Sequence, residues 1–315
     1  KGHHVWTEPR GLDAGYEWPA YSVHRGRFHM MLFDELIRRA GPAAVQTGWR
    51  ATGFDTQDDN ALLMLEDREG NTRTVEGSVV IGAAMLWRGT TQAKPFLSGS
   101  SMALIGHEGL RFVVYPISAP DPETGLATIN WICNLQKDPT QSFRKEDYSR
   151  AANLDDFLPA FEQIQFDKLD AGELIRGADE VFEYPMVDRD PLTSWTVGLT
   201  TLMGDAAHAA YPVGSNGAGA GITDARKLVA AFLAHGLTET ALHTYEDEML
   251  PITSKIILMN RSAGPDKILD IVEERSGGQF DDIHEVISHD EMAEHAATYK
   301  RAAGYGIAQT NSRAP

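Results

Sequence analysis

The fold is decided by one stretch, Gly204-Asp205-Ala206-Ala207-His208-Ala209-Ala210-Tyr211-Pro212-Val213-Gly214-Ser215-Asn216-Gly217-Ala218-Gly219. An apolar segment over 199–203 predicts a strand before it, and helical periodicity over 222–235 predicts a helix after it. Ligands of open α/β sheets gather at the carboxyl ends of strands, where Asp205 is located. Small residues let a flat ligand approach the backbone, and the amide N–H groups that open the helix favour negative charge. The stretch therefore predicts a site for a flat aromatic ligand that gains negative charge.

The rest of the chain divides into segments of different pattern. Residues 1–83 indicate mixed α/β structure, with a helix over 28–40, a hairpin formed by 61–65 and 73–80, and a buried strand over 79–82. Residues 84–183 indicate a β-rich segment with strands over 102–105, 111–117 and 127–135 and a helix over 153–166. A further helix is predicted over 238–259, interrupted near Pro251. Residues 261–315 are polar, helical in places and without an evident fold of their own.

Composition excludes several classes of function. The 315 residues carry 28 basic and 45 acidic side chains, a net charge of −17, which disfavours nucleic acids and polyanionic membrane surfaces as partners. Cys133 is the only cysteine, so no intramolecular disulfide forms and a reducing compartment is expected. No apolar run approaches the roughly 20 residues of a membrane span. We expect a cytoplasmic protein of about two domains, at roughly 150 residues per domain.

The glycine-rich stretch resembles the second FAD motif of the single-component FAD-dependent aromatic hydroxylases, the group A flavoprotein monooxygenases. Four other segments are similar to the phenazine-modifying branch of that family, namely residues 6–11, 21–26, 85–89 and 184–191. The resemblance implies an α/β fold in which a Rossmann-like FAD-binding domain, incomplete here, carries an inserted β-rich substrate domain. The implied boundaries are 1–83 with 184–260 for the FAD-binding domain, 84–183 for the substrate domain and 261–315 for C-terminal helices.

The resemblance also implies roles for individual residues. Asp205 would bind a ribityl hydroxyl, and Arg25 would contact FAD near its ribityl-pyrophosphate region. The residues along the isoalloxazine would be Pro212, Gly214, Ser215, Asn216 and Gly217. An aromatic substrate pocket is predicted from Trp87, Arg88, Tyr115 and Tyr211, with Arg88 as an anchor for a substrate carboxylate. The alternative for these pocket residues is an ordinary place in the core or at its rim.

Two segments of the family pattern are absent from this sequence. The family opens with a strand, a G-x-G-x-x-G turn and a helix that hold the ADP pyrophosphate, and no such motif occurs here. Ala83 is followed directly by Ala84, where the family continues into Asp-Gly and a basic segment. We expect these segments to be omitted from the sequence rather than lost from the protein. The alternative is a fragment that cannot hold FAD tightly.

The function implied by the resemblance is hydroxylation of a small aromatic or heteroaromatic substrate, carboxylates included. NADH or NADPH would reduce the FAD, O₂ would form a C4a-hydroperoxide, and no catalytic side chain is required. One alternative is a flavin oxidase, dehydrogenase or halogenase of the same fold; another is a non-catalytic ligand-binding protein without the ADP site. A monomer or homodimer is expected.

Other reactive side chains have structural interpretations. His208 is predicted to be a structural histidine at the strand–helix junction rather than a general base. Cys133 is predicted to be a small core residue rather than a nucleophile. Asp188 and Asp190 are predicted to form a turn network with Arg189 rather than an acid–base pair. No set of side chains has the spacing of a metal site.

Overall fold

A computed structural model of the protein describes residues 3–57, 60–82, 90–107, 109–135, 151–166, 169–183, 188–212, 217–262, 264–302 and 306–312. Its strands are β1 Arg50–Gln57, β2 Asn60–Glu66, β3 Thr72–Gly77, β4 Val80–Gly82, β5 Thr90–Ala93, β6 Ala103–His107, β7 Leu110–Pro116, β8 Ala127–Leu135, β9 Gln165–Phe166, β10 Leu169–Asp170 and β11 Thr200–Leu202. Its helices are α1 Arg25–Ala40, α2 Leu158–Phe161, α3 Ala171–Arg176, α4 Asp205–His208, α5 Gly217–His235, α6 Glu239–Arg261, α7 Lys267–Ser276, α8 His289–Ala302 and α9 Ile307–Asn311. Among these residues, no helix has both the length and the apolar character that a membrane span needs.

The segment before β4 contains one helix and a three-stranded antiparallel sheet. The predicted helix is confirmed but begins earlier, at Arg25, because the His24 side chain accepts a hydrogen bond from the Arg27 amide and caps it. The predicted hairpin is also confirmed, as β2 and β3. The Asp67 carboxylate accepts bonds from the Glu69 and Asn71 amides at 3.0 and 2.9 Å, which fixes the turn between the two strands.

Strands β4 and β11 come from distant parts of the sequence and pair in parallel. Val80 is opposite Thr200, and the Val80 amide donates to the Leu199 carbonyl at 2.9 Å. Both strands were predicted, but the expected burial of the first is wrong, since Ile81 is 40% exposed. In the described part of the chain β4 pairs only with β11, so its other edge has no strand beside it. The two strands of this sheet therefore lie on either side of the β-rich segment in the sequence.

The β-rich segment forms a four-stranded antiparallel sheet of order β5-β8-β7-β6, and its three predicted strands are confirmed. Phe112 and Val114 alternate along β7 as a half-buried strand requires, and they pack with Trp131 over the buried Phe161 and Ile175. The indole N–H of Trp131 donates to Thr91 Oγ1 at 2.9 Å, so this polar group is satisfied inside the core.

The helix predicted over 153–166 is wrong. Asn153 caps only a 3₁₀ turn, Leu154–Asp156, and Phe157 then leaves the helical region with φ −141°. Pro159 lies in the first turn of the short α2, where its missing N–H costs nothing, and it disfavours a helix continuing from the residues before it. The last two residues of the segment instead form β9, which pairs with β10.

A second core lies between α5 and α6. Trp195, Leu228, Leu242 and Tyr245 form its buried centre. The predicted interruption of α6 is wrong, because the helix continues through Pro251. Helix α6 buries side chains on both sides of the proline, and Pro251 itself is exposed, so water can reach the carbonyl that lacks its N–H partner.

The C-terminal segment has more structure than its composition indicates. Helices α7 and α8 enclose a hydrophobic cluster of Ile268, Ile271, Val272, Ile287 and Met292, on which the N-terminal Val5 and Trp6 also pack. The expectation that this segment has no fold of its own is therefore wrong. A short polar-rich sequence can still form a cluster when helix periodicity collects its few apolar residues on one face.

The β-rich segment is joined to the C-terminal helices by a buried ionic cluster. The Arg111 guanidinium donates to Asp266 Oδ2 and to Asp270 Oδ1, both at 3.0 Å, and all three side chains are at most 10% exposed. Burial raises the pKa of Asp266 to about 6 although Arg111 opposes the shift.

Candidate functional site

The site begins with a tight turn between β11 and α4. Gly204 has φ 58° and ψ −143°, a backbone conformation that a residue with a side chain rarely adopts. Its carbonyl accepts from the amides of Ala207 and His208, both at 2.9 Å, which closes the helical turn. Asp205 is the first residue of α4 and is half-buried. The glycine thus sets the direction in which the chain presents the Asp205 carboxyl.

A buried carboxylate from α5 holds this turn in place. Asp224 is fully buried, and its Oδ2 accepts from the Gly204 amide at 2.8 Å and from His208 Nε2 at 2.7 Å. Since an ionised carboxylate can only accept, Nε2 is the protonated ring nitrogen. The imidazole of His208 also lies against the Trp195 ring, with centroids 5.6 Å apart. His208 is buried and bonded to a side chain of the scaffold, as predicted for a structural histidine, and the absence of a general-base role stays a prediction.

Two opposing effects act on the pKa of the Asp205 carboxyl. Burial raises the pKa of its carboxyl, while the nearby charges of His208 and Arg25 lower it. Arg25, the exposed first residue of α1, is therefore within electrostatic reach of Asp205, as a shared ligand would require. Within the described chain, no hydrogen bond is made to the Asp205 carboxylate. Both residues remain predicted ligands, now placed near each other.

Helix α5 begins beside the turn with Gly217-Ala218-Gly219-Ala220-Gly221. A side chain at Gly217 would meet no atom of a described residue within 4 Å, so space adjoins the start of the helix in the part of the chain that is described. A helix of this length directs unpaired N–H groups and a partial positive charge at its N-terminus. Pro212, at the other end of the described loop, is exposed. The predicted loop residues Gly214, Ser215 and Asn216 lie outside the described residues.

The predicted aromatic pocket is only partly described. Tyr211 is half-buried next to Pro212, whereas Tyr115 is half-buried on β7, opposite Asn130 of β8. No hydrogen bond or ring contact between described residues joins Tyr115 to the Gly204–His208 turn. Trp87 and Arg88 belong to the part of the chain that is not described. The pocket therefore stays a prediction.

Two other sequence predictions can be checked directly. Asp188 and Asp190 do form a local network, but their partner is Arg261, at 2.5 and 2.9 Å, and not Arg189. Cys133 packs against the hydrophobic core as predicted, and burial raises the pKa of its thiol, which disfavours the nucleophilic thiolate.

Sequence reasoning missed Asp224 and Asn260 as residues that support the site. Asp224 belongs to the Asp-Ala-Arg segment of the predicted helix and is fully buried. A carboxylate on the buried side of a helix that follows a Gly-Asp turn could have indicated a residue that supports the turn. Asn260 is 49 residues from Tyr211, whose carbonyl it binds, and no local pattern could reveal that contact.

The comparisons with known proteins agree with this geometry. A family model described as FAD binding domain matches residues 180–259. Phenazine 1,6-dicarboxylic acid hydroxylase PhzS of Lysobacter antibioticus is 35% identical over 282 residues, which cover 82% of this chain and 69% of that protein. The chain belongs to the group A FAD-dependent aromatic hydroxylases. Another relative in this family is 6-hydroxynicotinate 3-monooxygenase of Bordetella bronchiseptica, 36% identical over 75% of this chain and 63% of its own length.

Solved structures support the same fold. FqzB aligns with a TM-score of 0.59 and 17% identity, over 89% of this chain and 70% of that one. A salicylate hydroxylase in complex with substrate aligns with a TM-score of 0.55 and 20% identity, over 91% of this chain and 74% of that one. At these identities the likeness establishes the fold, an α/β FAD-binding architecture, and confirms the predicted fold class.

The described residues fit the flavin half of FAD. The half-buried Asp205 carboxylate, to which no described residue donates a hydrogen bond, suits a sugar-alcohol hydroxyl, which is a hydrogen-bond donor. The open space at Gly217 and the N–H groups at the start of α5 suit the polar edge of a flat ring that gains charge on reduction. No G-x-G-x-x-G turn occurs in the 315 residues, so no glycine-rich turn of this chain is assigned to the pyrophosphate.

Proposed function

We propose that this chain forms the flavin- and substrate-binding parts of an enzyme that hydroxylates a small aromatic or heteroaromatic acid. The observation that carries the proposal is the Asp205 carboxyl, which is half-buried, without a protein partner among the described residues, and fixed beside the start of α5 by the buried Asp224. Two related proteins are named for aromatic acids, a phenazine dicarboxylic acid and 6-hydroxynicotinate, which supports a carboxylated ring as substrate.

Each residue has a distinct task in this proposal. Asp205 binds a ribityl hydroxyl, Arg25 neutralises charge near the ribityl-pyrophosphate region, and the N-terminus of α5 stabilises negative charge on the reduced ring. Pro212 and residues 214–217 line the ring, and Tyr211 contributes an aromatic wall. FAD, when reduced by NADH or NADPH, supplies from O₂ the oxygen atom that enters the substrate. The protein holds, orients and shields the reactants, and no side-chain acid or base is needed.

We further propose the domain organisation that the family implies. The FAD-binding domain comprises 1–83 and 184–260, the substrate domain 84–183 and the C-terminal helices 261–315. The parallel pairing of β4 with β11 supports a domain made from two separate segments, since the β-rich sheet lies between them in the sequence.

The test is the Asp205→Ala variant of the full-length protein. Losing a charge-assisted hydrogen bond costs about 1.5–3 kcal/mol, so the dissociation constant for FAD should rise about 10- to 100-fold. Asp281→Ala removes an exposed carboxyl elsewhere and should leave flavin binding unchanged. An unchanged FAD affinity in Asp205→Ala would contradict the assignment of the site.

The reaction is tested separately with ¹⁸O₂. Product from the parent protein should contain one oxygen atom derived from O₂, formed together with NADH or NADPH oxidation. Product without the label identifies a flavin oxidase or dehydrogenase of the same fold. Failure to bind FAD or to oxidise the nicotinamide in the full-length protein favours a non-catalytic ligand-binding protein.

A further inference from the structure

Asn260 is buried at the end of α6, where it connects two distant parts of the chain. Its Nδ2 donates to the Tyr211 carbonyl at 2.9 Å, and its Oδ1 accepts from the Tyr299 hydroxyl of α8 at 2.8 Å. Asn260 and Tyr299 are only 4% and 6% exposed. The orientation of the amide follows from chemistry, because a backbone carbonyl can only accept and therefore requires the NH₂ group.

The neighbouring residue Arg261 holds a second segment against the same loop. Its guanidinium binds Asp188 at 2.5 Å and Asp190 at 2.9 Å. Between these two carboxylates, the Arg189 amide donates to the Ala209 carbonyl at 3.2 Å. The end of α6 thus reaches the loop after α4 twice, directly through Asn260 and indirectly through the 188–190 segment.

The part of the loop after α4 that the structure describes, residues 209–212, makes few other hydrogen bonds to described residues. Among those residues, only the carbonyls of Ala209 and Tyr211 are held, and Pro212 has no amide hydrogen to donate. The same short loop leads into residues 213–216 and the start of α5. A shift of the Tyr211 carbonyl would therefore move the Tyr211 ring together with the described end of the loop at Pro212.

We propose that Asn260 and Tyr299 are positioning residues that fix residues 209–212, the described part of the loop after α4, so that the C-terminal helix α8 sets the geometry of the cofactor and substrate site. The role in flavin and substrate geometry rests on the proposed function, whereas the mechanical link between α8 and the loop does not. Neither residue lies within the stretch matched by the FAD-binding family model.

Three variants separate this role from a general contribution to stability. Asn260→Asp keeps the size of the side chain but replaces the NH₂ donor by an oxygen that repels the Tyr211 carbonyl. Tyr299→Phe removes only the hydroxyl and is the milder change. Thr253→Val is the matched control, because Thr253 is buried in the same helix and, among the described residues, its hydroxyl bonds only to carbonyls of α6.

The first measurement is hydrogen exchange of the amides of residues 205–217 in the flavin-free, full-length protein. In Asn260→Asp these amides should exchange about tenfold faster, the factor that corresponds to one lost hydrogen bond, and Tyr299→Phe should change them in the same direction but less. In Thr253→Val they should exchange as in the parent, even where its melting temperature falls.

The second measurement is made on the FAD-loaded protein. Asn260→Asp should raise the dissociation constant for FAD about tenfold and lower the ratio of hydroxylated product to oxidised nicotinamide, because a displaced loop admits water. Thr253→Val should change neither quantity.

Loop exchange within twofold of the parent in both Asn260→Asp and Tyr299→Phe overturns the proposal, as does equal acceleration in Thr253→Val. If Asn260→Asp does not fold, the outcome for Tyr299→Phe decides. A parent protein that yields no hydroxylated product counts against the proposed function alone, since the exchange experiment requires neither flavin nor substrate.

Discussion

Asp224→Ala should be among the most damaging single substitutions in this protein. The carboxylate is fully buried and accepts hydrogen bonds from the Gly204 amide and His208 Nε2. Removing it leaves two donors without an acceptor in the interior, each at a cost of about 1–3 kcal/mol. Breaking a buried polar pair typically costs about 3–5 kcal/mol, and we expect a loss of unfolding free energy in that range.

Asp224→Asn should cost less, about 1–3 kcal/mol. The amide oxygen can still accept both bonds made to Oδ2, but its NH₂ group replaces Oδ1, a buried oxygen for which the described residues provide no hydrogen-bond donor within bonding distance. The expected order of stability is therefore parent, then Asp224→Asn, then Asp224→Ala. Asp281→Ala, at an exposed carboxyl, should lie within about 0.5 kcal/mol of the parent.

Urea unfolding followed by tryptophan fluorescence measures these differences, and Trp195 next to His208 reports on the turn itself. FAD affinity should fall with stability in both Asp224 variants, because Gly204 and Asp205 lose their fixed orientation. An Asp224→Ala protein within 0.5 kcal/mol of the parent would refute the reasoning, as would full stability accompanied by a loss of FAD. The second result would place Asp224 in contact with the ligand rather than behind the turn.

Two further predictions concern buried ionisable groups. The pKa of Asp266 is raised to about 6 by burial, so the folded state holds this proton more tightly than the unfolded chain; the stabilisation is complete below about pH 4 and is lost as the pH rises through 6. At 1.36 kcal/mol per pKa unit, the stabilisation lost between pH 4 and pH 7 is at most about 3 kcal/mol. Urea titrations at a series of pH values should show that the unfolding free energy of Asp266→Asn lacks this decline. An equal decline in Asp266→Asn and in the parent would contradict the prediction. Burial also raises the pKa of the Cys133 thiol, so iodoacetamide at pH 8 should label the native protein far more slowly than the urea-unfolded chain; equal rates would show an accessible thiol.

Local sequence patterns predicted the parts of the fold that local physics determines. The alternation of Phe112 and Val114 marked β7, the Asp67 turn marked the hairpin, and periodic apolar residues marked α1. Pro251 was misleading because packing on both sides of it outweighs the roughly 3 kcal/mol that a proline costs inside a helix. Asp188 and Asp190 were paired with their sequence neighbour, whereas their partner Arg261 is 73 and 71 residues away.

The difference between local and distant contacts also explains which residues of the candidate site could be predicted from the sequence. Asp205 is the proposed ligand contact, and a family motif of consecutive residues identifies it. The groups that hold the motif in place come from further along the chain, Asp224 at 20 residues from Gly204 and Asn260 at 49 from Tyr211. Ligand-facing and supporting residues should therefore differ when they are replaced. Because burial disfavours the ionised Asp205 carboxyl, Asp205→Ala should weaken flavin binding without lowering stability, whereas Asp224→Ala should lower both. A loss of stability in Asp205→Ala equal to that in Asp224→Ala would show that this division does not hold.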